Sequence, residues 1–146
     1  MQYSELQFKN ALKEMGLSVT NQRLTIARTV FGMTGHYSID QILAEVRIDA
    51  PKVGYTTVYR TMKVLIECGL IVEHKFGSGV TRFEVASEDH HDHMVCLQCN
   101  SIIEFHCEQI EQAQLDIAKD LGFEITKHRH ILYGYCNKSA CRAARV

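Results

Sequence analysis

The sequence predicts a mixed helix-and-strand protein of the α/β (α+β) class, built from two small domains. Apolar residues recur at helical spacing through most of the first half, and two strand-like runs joined by a glycine-rich connection follow them. In the second half, shorter strand-like and helical segments alternate with clusters of His and Cys. With 146 residues, 46% of them hydrophobic, the chain can bury one sizeable core or two small ones.

The two halves of the chain differ in charge and in their content of metal-binding residue types. Residues 1–85 contain ten Lys and Arg against eight Asp and Glu, whereas residues 86–146 contain six against nine. The second half also holds five of the six Cys and six of the eight His. We therefore predict domains at 1–85 and 86–146, with the boundary near Ala86–Glu88. The overall net charge of −1 makes no case for a nucleic-acid partner by itself.

Helical periodicity predicts the first two helices. Gly16 ends the first helix and Thr20 caps the second, because glycine favours helix C-termini and threonine favours N-termini. Their expected apolar faces are Phe8, Leu12 and Met15 in the first helix, and Leu24, Ala27, Val30 and Phe31 in the second.

A third and a fourth helix follow. Ser38 and Gln41 form a capping-box pattern at the start of the third, and the fourth begins at Thr56 or Thr57 and ends at Gly69. A loop over residues 49–54 separates them. The expected apolar faces are Ile39, Ile42, Leu43 and Val46 in the third helix, and Val58, Met62, Leu65 and Ile66 in the fourth.

A hairpin completes the first domain. The strand-like runs Leu70–Phe76 and Val80–Val85 are joined by Gly77-Ser78-Gly79, a connection typical of a β-hairpin. Helices followed by a hairpin give the element order of a winged helix-turn-helix, whose last helix enters the DNA major groove, about 12 Å wide. Tyr59, Arg60 and Lys63 on the outer face of that helix are candidate DNA contacts. An ordinary solvated face remains the alternative.

Two pairs of cysteines in the second domain predict a structural zinc site. Cys96 and Cys99 form a CxxC pattern, and Cys136 and Cys141 form a looser pair near the C-terminus. Four thiolates around a tetrahedral Zn²⁺ make a closed site, and six cysteines in a reducing compartment favour metal ligands over disulfides. The alternative is four unrelated buried or redox thiols. Cys68 is expected in the core, and Cys107 has no assigned role.

The histidine cluster that precedes the CxxC pattern predicts further metal ligands. Because side chains alternate along a strand, His91 and His93 point to one face, and His90 and Asp92 point to the other. One short strand thus presents two ligand pairs to two different places. Imidazoles combined with carboxylates suit Fe²⁺, Mn²⁺ or Zn²⁺.

Partners for these two pairs are expected on three later segments. A strand over Ser101–Phe105 carries Glu104, and a helix over residues 108–121 carries Glu111 near its start. A long strand over Phe123–Tyr135 carries His128 and His130, and offers an edge or a face to a second subunit. The face of the helix expected to point inward is Ile110, Ala113, Ile117 and Leu121.

Taken together, these motifs resemble the ferric uptake regulator (Fur) family over almost the whole chain. The matching stretches are Gly16-Leu17…Val19-Thr20…Arg23, Thr57-Val58-Tyr59-Arg60, Arg82-Phe83-Glu84, His90-His91-Asp92-His93…Cys96…Cys99, Ile103-Glu104-Phe105 and Tyr133-Gly134-Tyr135-Cys136…Cys141. The resemblance implies an N-terminal winged helix, a small α/β dimerisation domain, and a homodimer that binds a double-stranded DNA operator when its regulatory metal is present. Association into tetramers is left open.

The resemblance also implies roles for individual residues. It assigns a structural Zn²⁺ to Cys96, Cys99, Cys136 and Cys141; the regulatory ion to His36, Glu84, His91, His93 and Glu104; an additional metal site to His90, Asp92, Glu111 and His128; and DNA contacts to Tyr59 and Arg60, with Thr57, Lys63 and Arg23 as further candidates. One departure concerns Ser18, where many relatives carry a Lys placed for the minor groove.

Within the family, the sequence favours an Fe²⁺-dependent repressor of iron-uptake genes, with Mn²⁺ or Zn²⁺ as substitutes in vitro. Glu84 and Glu104 stand where the peroxide-sensing branch typically has Asp. Peroxide sensing through oxidation of His36 or His91 is the first alternative, and zinc sensing is the second.

Two other classes of protein are weaker alternatives. A zinc-dependent hydrolase or deaminase needs an open metal position and a general base, but HExxH and HxE…PCxxC patterns are absent from the sequence. A redox switch built on CxxC lacks the thioredoxin βαβ setting. We therefore expect no enzymatic activity. The chain also lacks a basic N-terminal region followed by an apolar stretch, and lacks an apolar run of membrane-spanning length, so we expect a cytoplasmic protein without membrane attachment.

Overall fold

The computed structural model describes residues 5–77, 79–87 and 90–143. Contacts divide the chain into two compact units, Met1–Glu88 and Asp89–Val146, which we call the N-terminal and the C-terminal unit. Ser78 in the predicted turn and Glu88 at the predicted boundary lie outside the described residues.

The N-terminal unit has four helices followed by an antiparallel hairpin, in the order that the sequence predicts. The elements are α1 (Glu5–Glu14), α2 (Asn21–Phe31), α3 (Ile39–Asp49), α4 (Tyr55–Glu67), β1 (Ile71–Phe76) and β2 (Val80–Val85). The mixed helix-and-strand class is confirmed, and this order is that of a winged helix-turn-helix.

The predicted caps of α2 and α3 are confirmed. The hydroxyl of Thr20 accepts a hydrogen bond from the Arg23 N–H at 3.3 Å. At α3 the Gln41 N–H donates to the Ser38 hydroxyl at 3.2 Å, and the Ser38 N–H donates to the Gln41 side-chain oxygen at 2.8 Å, which closes the capping box.

The predicted start of α4 at Thr56 or Thr57 was wrong, because the helix begins at Tyr55. Gly54 is its N-cap residue and makes no side-chain hydrogen bond, but its carbonyl accepts from the N–H groups of Thr57 and Val58. A residue without a side chain at the N-cap gives no sequence signal as strong as Ser or Thr.

The core of the N-terminal unit is built largely from the predicted apolar faces, but Met15 follows the end of α1 and is 40% exposed. Its fully enclosed side chains include Phe8, Leu12, Ile26, Ile42, Val46, Val58, Met62 and Leu65. Ile26 lies outside the predicted face of α2, because neighbouring helices enclose a wider stripe than the prediction used. Thr61 is also buried, and its hydroxyl is satisfied by donating to the Thr57 carbonyl at 2.8 Å.

An isolated bridge joins the loop before α3 to the hairpin. The Tyr37 N–H donates to the Phe83 carbonyl at 2.9 Å, and the Phe83 N–H donates to the Tyr37 carbonyl at 2.8 Å. The bridge fixes residue 36, one position before Tyr37, relative to residue 84, one position after Phe83.

The C-terminal unit is a three-stranded sheet with two helices. The elements are β3 (Asp92–Cys96), β4 (Ile102–Phe105), α5 (Glu108–Asp120), β5 (Ile131–Gly134) and α6 (Ser139–Ala143). The strand order is β4-β3-β5, with β3 antiparallel to β4 and parallel to β5. β3 is therefore the central strand, and α5 lies on the crossover that leads to β5.

The predicted long strand over Phe123–Tyr135 was wrong. Only Ile131–Gly134 forms a strand, and it pairs with residues 93–96 of β3. Because β3 has five residues, it offers no further ladder to residues 123–130, which have no strand partner in the described part of this chain.

The predicted inward face of α5 was wrong for the isolated chain. Ile117 is 60% exposed and Leu121 is 77% exposed, and Ala113 is also exposed. The only buried residue of this helix is Ala118. Apolar residues do recur at helical spacing, but no layer formed by the described residues of one chain covers them.

We predict that Ser38→Ala destabilises the N-terminal unit by about 1 kcal/mol, because it removes the side-chain acceptor of the capping box. Urea unfolding followed by far-ultraviolet circular dichroism measures the change. Ser18→Ala is the matched control, since Ser18 accepts a hydrogen bond from Arg23 through its main-chain oxygen. Equal stability of both variants and the unmodified chain would contradict the prediction.

Candidate metal centres and nucleic-acid interface

The four predicted zinc ligands converge in the C-terminal unit. Cys96 ends β3, Cys99 lies in the turn that follows, Cys136 follows β5, and Cys141 lies in α6. The sulfur atoms of Cys96 and Cys141 are 3.9 Å apart, and those of Cys99 and Cys136 are 3.7 Å apart. Sulfur atoms of a tetrahedral Zn²⁺ site, with bonds of about 2.3 Å, are separated by roughly 3.8 Å. The spacing therefore fits a tetrahedral zinc ion.

The electrostatics of this cluster also fit a cation. Hydrogen bonds from backbone N–H groups, first of all that of Cys136, lower the pKa of the Cys96 thiol to about 6. In contrast, the hydrogen bond with the Cys136 thiol and, next, burial raise the pKa of Cys141 to about 12. Without a cation, the cluster resists full deprotonation. A divalent metal would bind all four as thiolates and release protons on binding.

The second predicted set also comes together within the C-terminal unit. The Nε2 atom of His90 lies 3.2 Å from a carboxylate oxygen of Asp92 and 3.2 Å from one of Glu111. The Nε2 atom of His128 is 3.3 Å from the same Glu111 oxygen and 2.8 Å from Nε2 of His90. β3 begins only at Asp92, so His90 precedes the strand instead of lying on it as predicted. Its side chain nevertheless meets that of Asp92, and Glu111 and His128 join them.

Asp92 is the most informative member of this set. It is only 1% exposed, yet neither carboxylate oxygen has a hydrogen-bond partner among the described residues. A buried carboxylate without hydrogen bonds is costly, so a ligand or ion is expected to compensate it. The ligand atoms of His90, Asp92, Glu111 and His128 all lie within 4.8 Å of one another, close enough to share one divalent cation. His130, which the sequence analysis placed only on the predicted strand, has its Nδ1 atom 3.5 Å from the other Asp92 oxygen.

In the N-terminal unit, two of the predicted regulatory residues meet across the Tyr37–Phe83 bridge. The Nε2 atom of His36 lies 3.0 Å from one oxygen of Glu84. His74 on β1, which the sequence analysis missed, has its Nε2 atom 2.6 Å from the other oxygen. The hairpin register pairs His74 with Arg82 and Glu84 with Val72, so His74 and Glu84 are diagonal neighbours. Predicting this register would have pointed to His74.

The charge of Glu84 is stabilised by these two neighbours. Burial by itself would raise the pKa of Glu84, but hydrogen bonds with His36 and His74 outweigh it and hold this pKa well below its usual range. Glu84 is therefore a carboxylate across the physiological pH range and is a suitable donor for a divalent cation.

The remaining predicted regulatory residues lie together in the C-terminal unit. His93 on β3 is directly opposite Glu104 on β4 in the strand register. The rings of His91 and His93 are edge to face, with centroids 5.0 Å apart. His91 directly precedes β3, so two imidazoles and one carboxylate lie close together here. Alternation along β3 places His93 on the face opposite that of Asp92.

The outer face of α4 carries the predicted DNA contacts. Tyr59 is 42% exposed and Arg60 is also exposed, whereas the Nζ atom of Lys63 lies 3.3 Å from Glu73 and 5.5 Å from the centroid of the Tyr59 ring. Tyr55, which the sequence analysis did not select, stacks on Tyr59 with centroids 6.2 Å apart.

The other two candidate DNA contacts are less accessible. Thr57 is half-buried, and its carbonyl accepts a hydrogen bond from Thr61. Arg23 donates from its guanidinium group to the Ser18 carbonyl at 2.6 Å, which holds this side chain against the turn between α1 and α2.

Among the described residues, no helix is both long enough and apolar enough to cross a membrane.

A winged helix joined to a unit rich in thiolate, imidazole and carboxylate sets defines the class of metal-dependent DNA-binding regulators. The model of the ferric uptake regulator family matches residues 14–133, and the chain belongs to this family. Members of the family are transcription regulators rather than enzymes, so the hydrolase and deaminase alternatives do not hold.

Individual relatives agree with this assignment. The chain is 38% identical to the ferric uptake regulation protein of Campylobacter jejuni, over 95% of this chain and 90% of the relative. It is similar to the crystal structure of the Vibrio cholerae ferric uptake regulator, with a TM-score of 0.74, 37% identity, and coverage of 87% of this chain and 98% of that one. It is also similar to the Francisella tularensis regulator solved with iron, with a TM-score of 0.78, 30% identity, and coverage of 90% and 98%.

We predict that Cys99→Ser lowers the bound zinc by one equivalent and loosens the C-terminal unit. The loss of a structural zinc withdraws a large part of the folding free energy of such a unit, on the order of 10 kcal/mol in small zinc domains. Hydrogen exchange should rise in β3, β4 and β5 while α2 and α4 keep their protection. Cys107→Ser, at a cysteine outside the cluster, is the control. Unchanged zinc content in the Cys99 variant would overturn the prediction.

Proposed function

We propose that this protein is an Fe²⁺-dependent repressor of iron-uptake genes, which binds a double-stranded DNA operator as a homodimer in the cytoplasm. The observation that carries the proposal is the division of the imidazole and carboxylate sets between the two units. His36 and Glu84 belong to the winged helix, and His91, His93 and Glu104 belong to the sheet of the C-terminal unit.

The division suggests how one ion controls DNA binding. An ion that takes ligands from both sets would favour one arrangement of the winged helix over others. The ion can shift the equilibrium between these arrangements only by the difference between its binding free energies for them. In a dimer, two winged helices held in one arrangement can match the half-sites of a palindromic operator. Glu84 lies on the hairpin, and the Tyr37–Phe83 bridge holds the neighbouring residue His36 next to it. Both residues therefore suit this role.

The structural Zn²⁺ would be held by the four cysteines, because their sulfur spacing fits one tetrahedral cation. When bound, it supplies a closed and redox-inactive crosslink between the end of β3 and the C-terminal segment. His90, Asp92, Glu111 and His128 would hold an additional ion.

Iron is proposed as the sensed metal because both regulatory carboxylates are glutamates, and because mixed imidazole and carboxylate donors suit Fe²⁺. Peroxide sensing is the alternative within the family, since His36 and His91 would lie beside the iron. The two readings differ in whether a histidine gains oxygen after exposure to peroxide.

The exposed apolar side chains of the C-terminal unit support the homodimer. Ile117, Leu121 and Phe123 are each at least 60% exposed in the single chain, and they follow one another along the end of α5 and the segment after it. Several large apolar side chains exposed within one short segment are typical of an interaction site. A second copy that covers α5 would also explain why the predicted inward face of this helix is exposed here.

The exposed residues of α4, the expected recognition helix, support the proposal that the partner is double-stranded DNA. The stacked Tyr55 and Tyr59 rings lie in the first two turns of α4, and Arg60 follows them. In winged-helix and related proteins, the N-terminal residues of the recognition helix approach base edges in the major groove. Lys63, paired with Glu73, is better placed to support Tyr59 than to reach a base.

We predict that His91→Ala abolishes Fe²⁺-activated DNA binding and leaves a folded, zinc-containing protein. The probe is a duplex selected from a randomised library with the Fe²⁺-loaded protein, and the measurement is an anaerobic mobility shift across Fe²⁺, Mn²⁺ and Zn²⁺. Loss of one ligand is expected to raise the metal concentration needed for half-maximal binding by roughly 100-fold or more.

His106→Ala is the matched control, because this exposed histidine of the same unit belongs to no ligand cluster found among the described residues. If the His91 variant binds DNA with unchanged metal dependence, the proposed function fails. A peroxide challenge followed by mass spectrometry separates the alternatives: added oxygen on His36 or His91 with loss of DNA binding would favour peroxide sensing over iron sensing.

We predict that Ile117→Asp weakens the dimer, because it places a charge in an apolar contact surface. The dissociation constant should rise by roughly 30-fold or more, equivalent to about 2 kcal/mol. Sedimentation velocity over a range of protein concentrations measures the change. Lys119→Asp puts the same charge on the opposite side of α5 and should leave the dimer intact; equal effects of the two substitutions would show that this face of the helix is not the interface.

A further inference from the structure

We propose that His74 is a metal ligand, and that His36, His74 and Glu84 form a divalent-cation site that lies wholly within the N-terminal unit. The inference rests on the proposed function, because it adds a residue to the regulatory site and gives the DNA-binding unit its own capacity to bind the ion. His74 is outside the set that the family resemblance assigns.

The first support is the convergence of three donor groups on one point. The Nε2 atoms of both histidines face Glu84, His36 at 3.0 Å from one oxygen and His74 at 2.6 Å from the other. All three ligand atoms lie within 4.8 Å of one another. Adjacent ligands of an ion with bonds of about 2.1 Å are separated by roughly 3 Å, so the three groups need to move little to share one ion.

The second support is that main-chain structure fixes all three positions. The Tyr37–Phe83 bridge sets His36 beside Glu84, and the β1–β2 register sets His74 diagonally across from Glu84. The donors therefore do not rely on flexible side chains of distant segments. A set held this way is preorganised for a ligand, which lowers the entropic cost of binding it.

The third support is the packing of the rings. The ring of His74 is stacked on Phe76, with an angle of 8° between the planes and 5.7 Å between the centroids. The ring of His36 is edge to face with both, at 5.4 Å from His74 and 6.2 Å from Phe76. Phe76 is buried, so its ring has a fixed position and restricts the orientation of both imidazoles that pack against it.

The fourth support is the shielding of the donors from water. The side chains of His36, His74 and Glu84 are 4%, 12% and 11% exposed. Two imidazoles and one carboxylate are the donor set of many Fe²⁺ sites, and three ligands on one side of an ion leave its other positions open. All three donors belong to the N-terminal unit, so this unit by itself supplies a partial coordination shell for a divalent cation.

The test uses the full-length, zinc-loaded protein carrying His91→Ala, His93→Asn and Glu104→Ala, called the background variant. These changes remove the regulatory donors of the C-terminal unit, and Asn keeps a polar side chain at the buried position 93. Mn²⁺ is titrated anaerobically, and the ring signals of the histidines are followed by NMR. Mn²⁺ should broaden the signals of His36 and His74, in addition to those of His90 and His128 at the additional site, while His106 reports non-specific broadening.

A second substitution then distinguishes a ligand from a hydrogen-bond partner. His74→Gln, added to the background variant, keeps an N–H group that can donate to Glu84 but removes the imidazole donor. We expect the broadening of His36 to require at least about 10-fold more Mn²⁺ in this variant, and His106→Gln to have no effect.

Three results would overturn the inference: no selective broadening of His36 in the background variant, unchanged broadening after His74→Gln, or an equal loss after His106→Gln. Circular dichroism shows whether each variant is folded, and His36→Gln gives a second variant in the same site. Because DNA is absent from this titration, its failure leaves the proposed function untouched. Conversely, metal-independent DNA binding by the unmodified protein would defeat the proposed function alone.

Discussion

The two-residue period of strand β3 is the constraint on which the three ligand sets of the C-terminal unit depend. Asp92 and Cys96 belong to two different sets at opposite ends of this strand, whereas His93, on the other face, lies directly opposite Glu104. Because neighbouring side chains point to opposite faces, a shift of one residue in the β3–β4 pairing would exchange the faces of Asp92 and His93. The pairing of His93 with Glu104 is therefore as necessary for the sets as the residues themselves.

Buried carboxylates make these sets informative about cations. Asp92 lies inside the C-terminal unit without a hydrogen bond, whereas both oxygens of Glu84 are engaged by histidines in the N-terminal unit. In the first arrangement no hydrogen bond offsets the desolvation of the buried charge, although His90 and His130 lie 3.2 and 3.5 Å from its oxygens. The second is complete by itself, yet it holds the donors at the spacing that a metal ion uses. The donor set around Asp92 therefore depends more on a bound ion for its stability than the set around Glu84 does.

Under the proposed function, the exposed apolar surface and the ligand sets both control where the winged helices are placed. To place two winged helices on one duplex, two chains must first form a stable dimer. The direction of each winged helix must then be fixed. The apolar face of α5 would hold the dimer together permanently. The four cysteines would hold a zinc ion permanently, because four protein ligands leave no open position on the metal. The imidazole and carboxylate sets serve the reversible part, because divalent ions exchange from them more readily than zinc leaves four thiolates.

Much of the N-terminal unit could be predicted from sequence, because its signals are local. The capping box at Ser38 and Gln41 and the apolar period of each helix depend on residues within a few positions of one another. The prediction failed at α4, where Gly54 caps the helix without a side chain, and at residues 123–130, where strand-like composition has no strand beside it. Composition can indicate a strand, but only a partner can make one.

For the ligand sets, the sequence by itself determined the donor types and their division between the two faces of β3. It identified the four cysteines and the run His90-His91-Asp92-His93, because spacing along the chain restricts which donors share a face. Only the tertiary structure brought His74 to Glu84 and His130 to Asp92. His74 and Glu84 are ten residues apart and are joined by the hairpin register, whereas His130 and Asp92 are distant along the chain and are joined by the parallel pairing of β3 and β5. Strand composition alone specifies neither register.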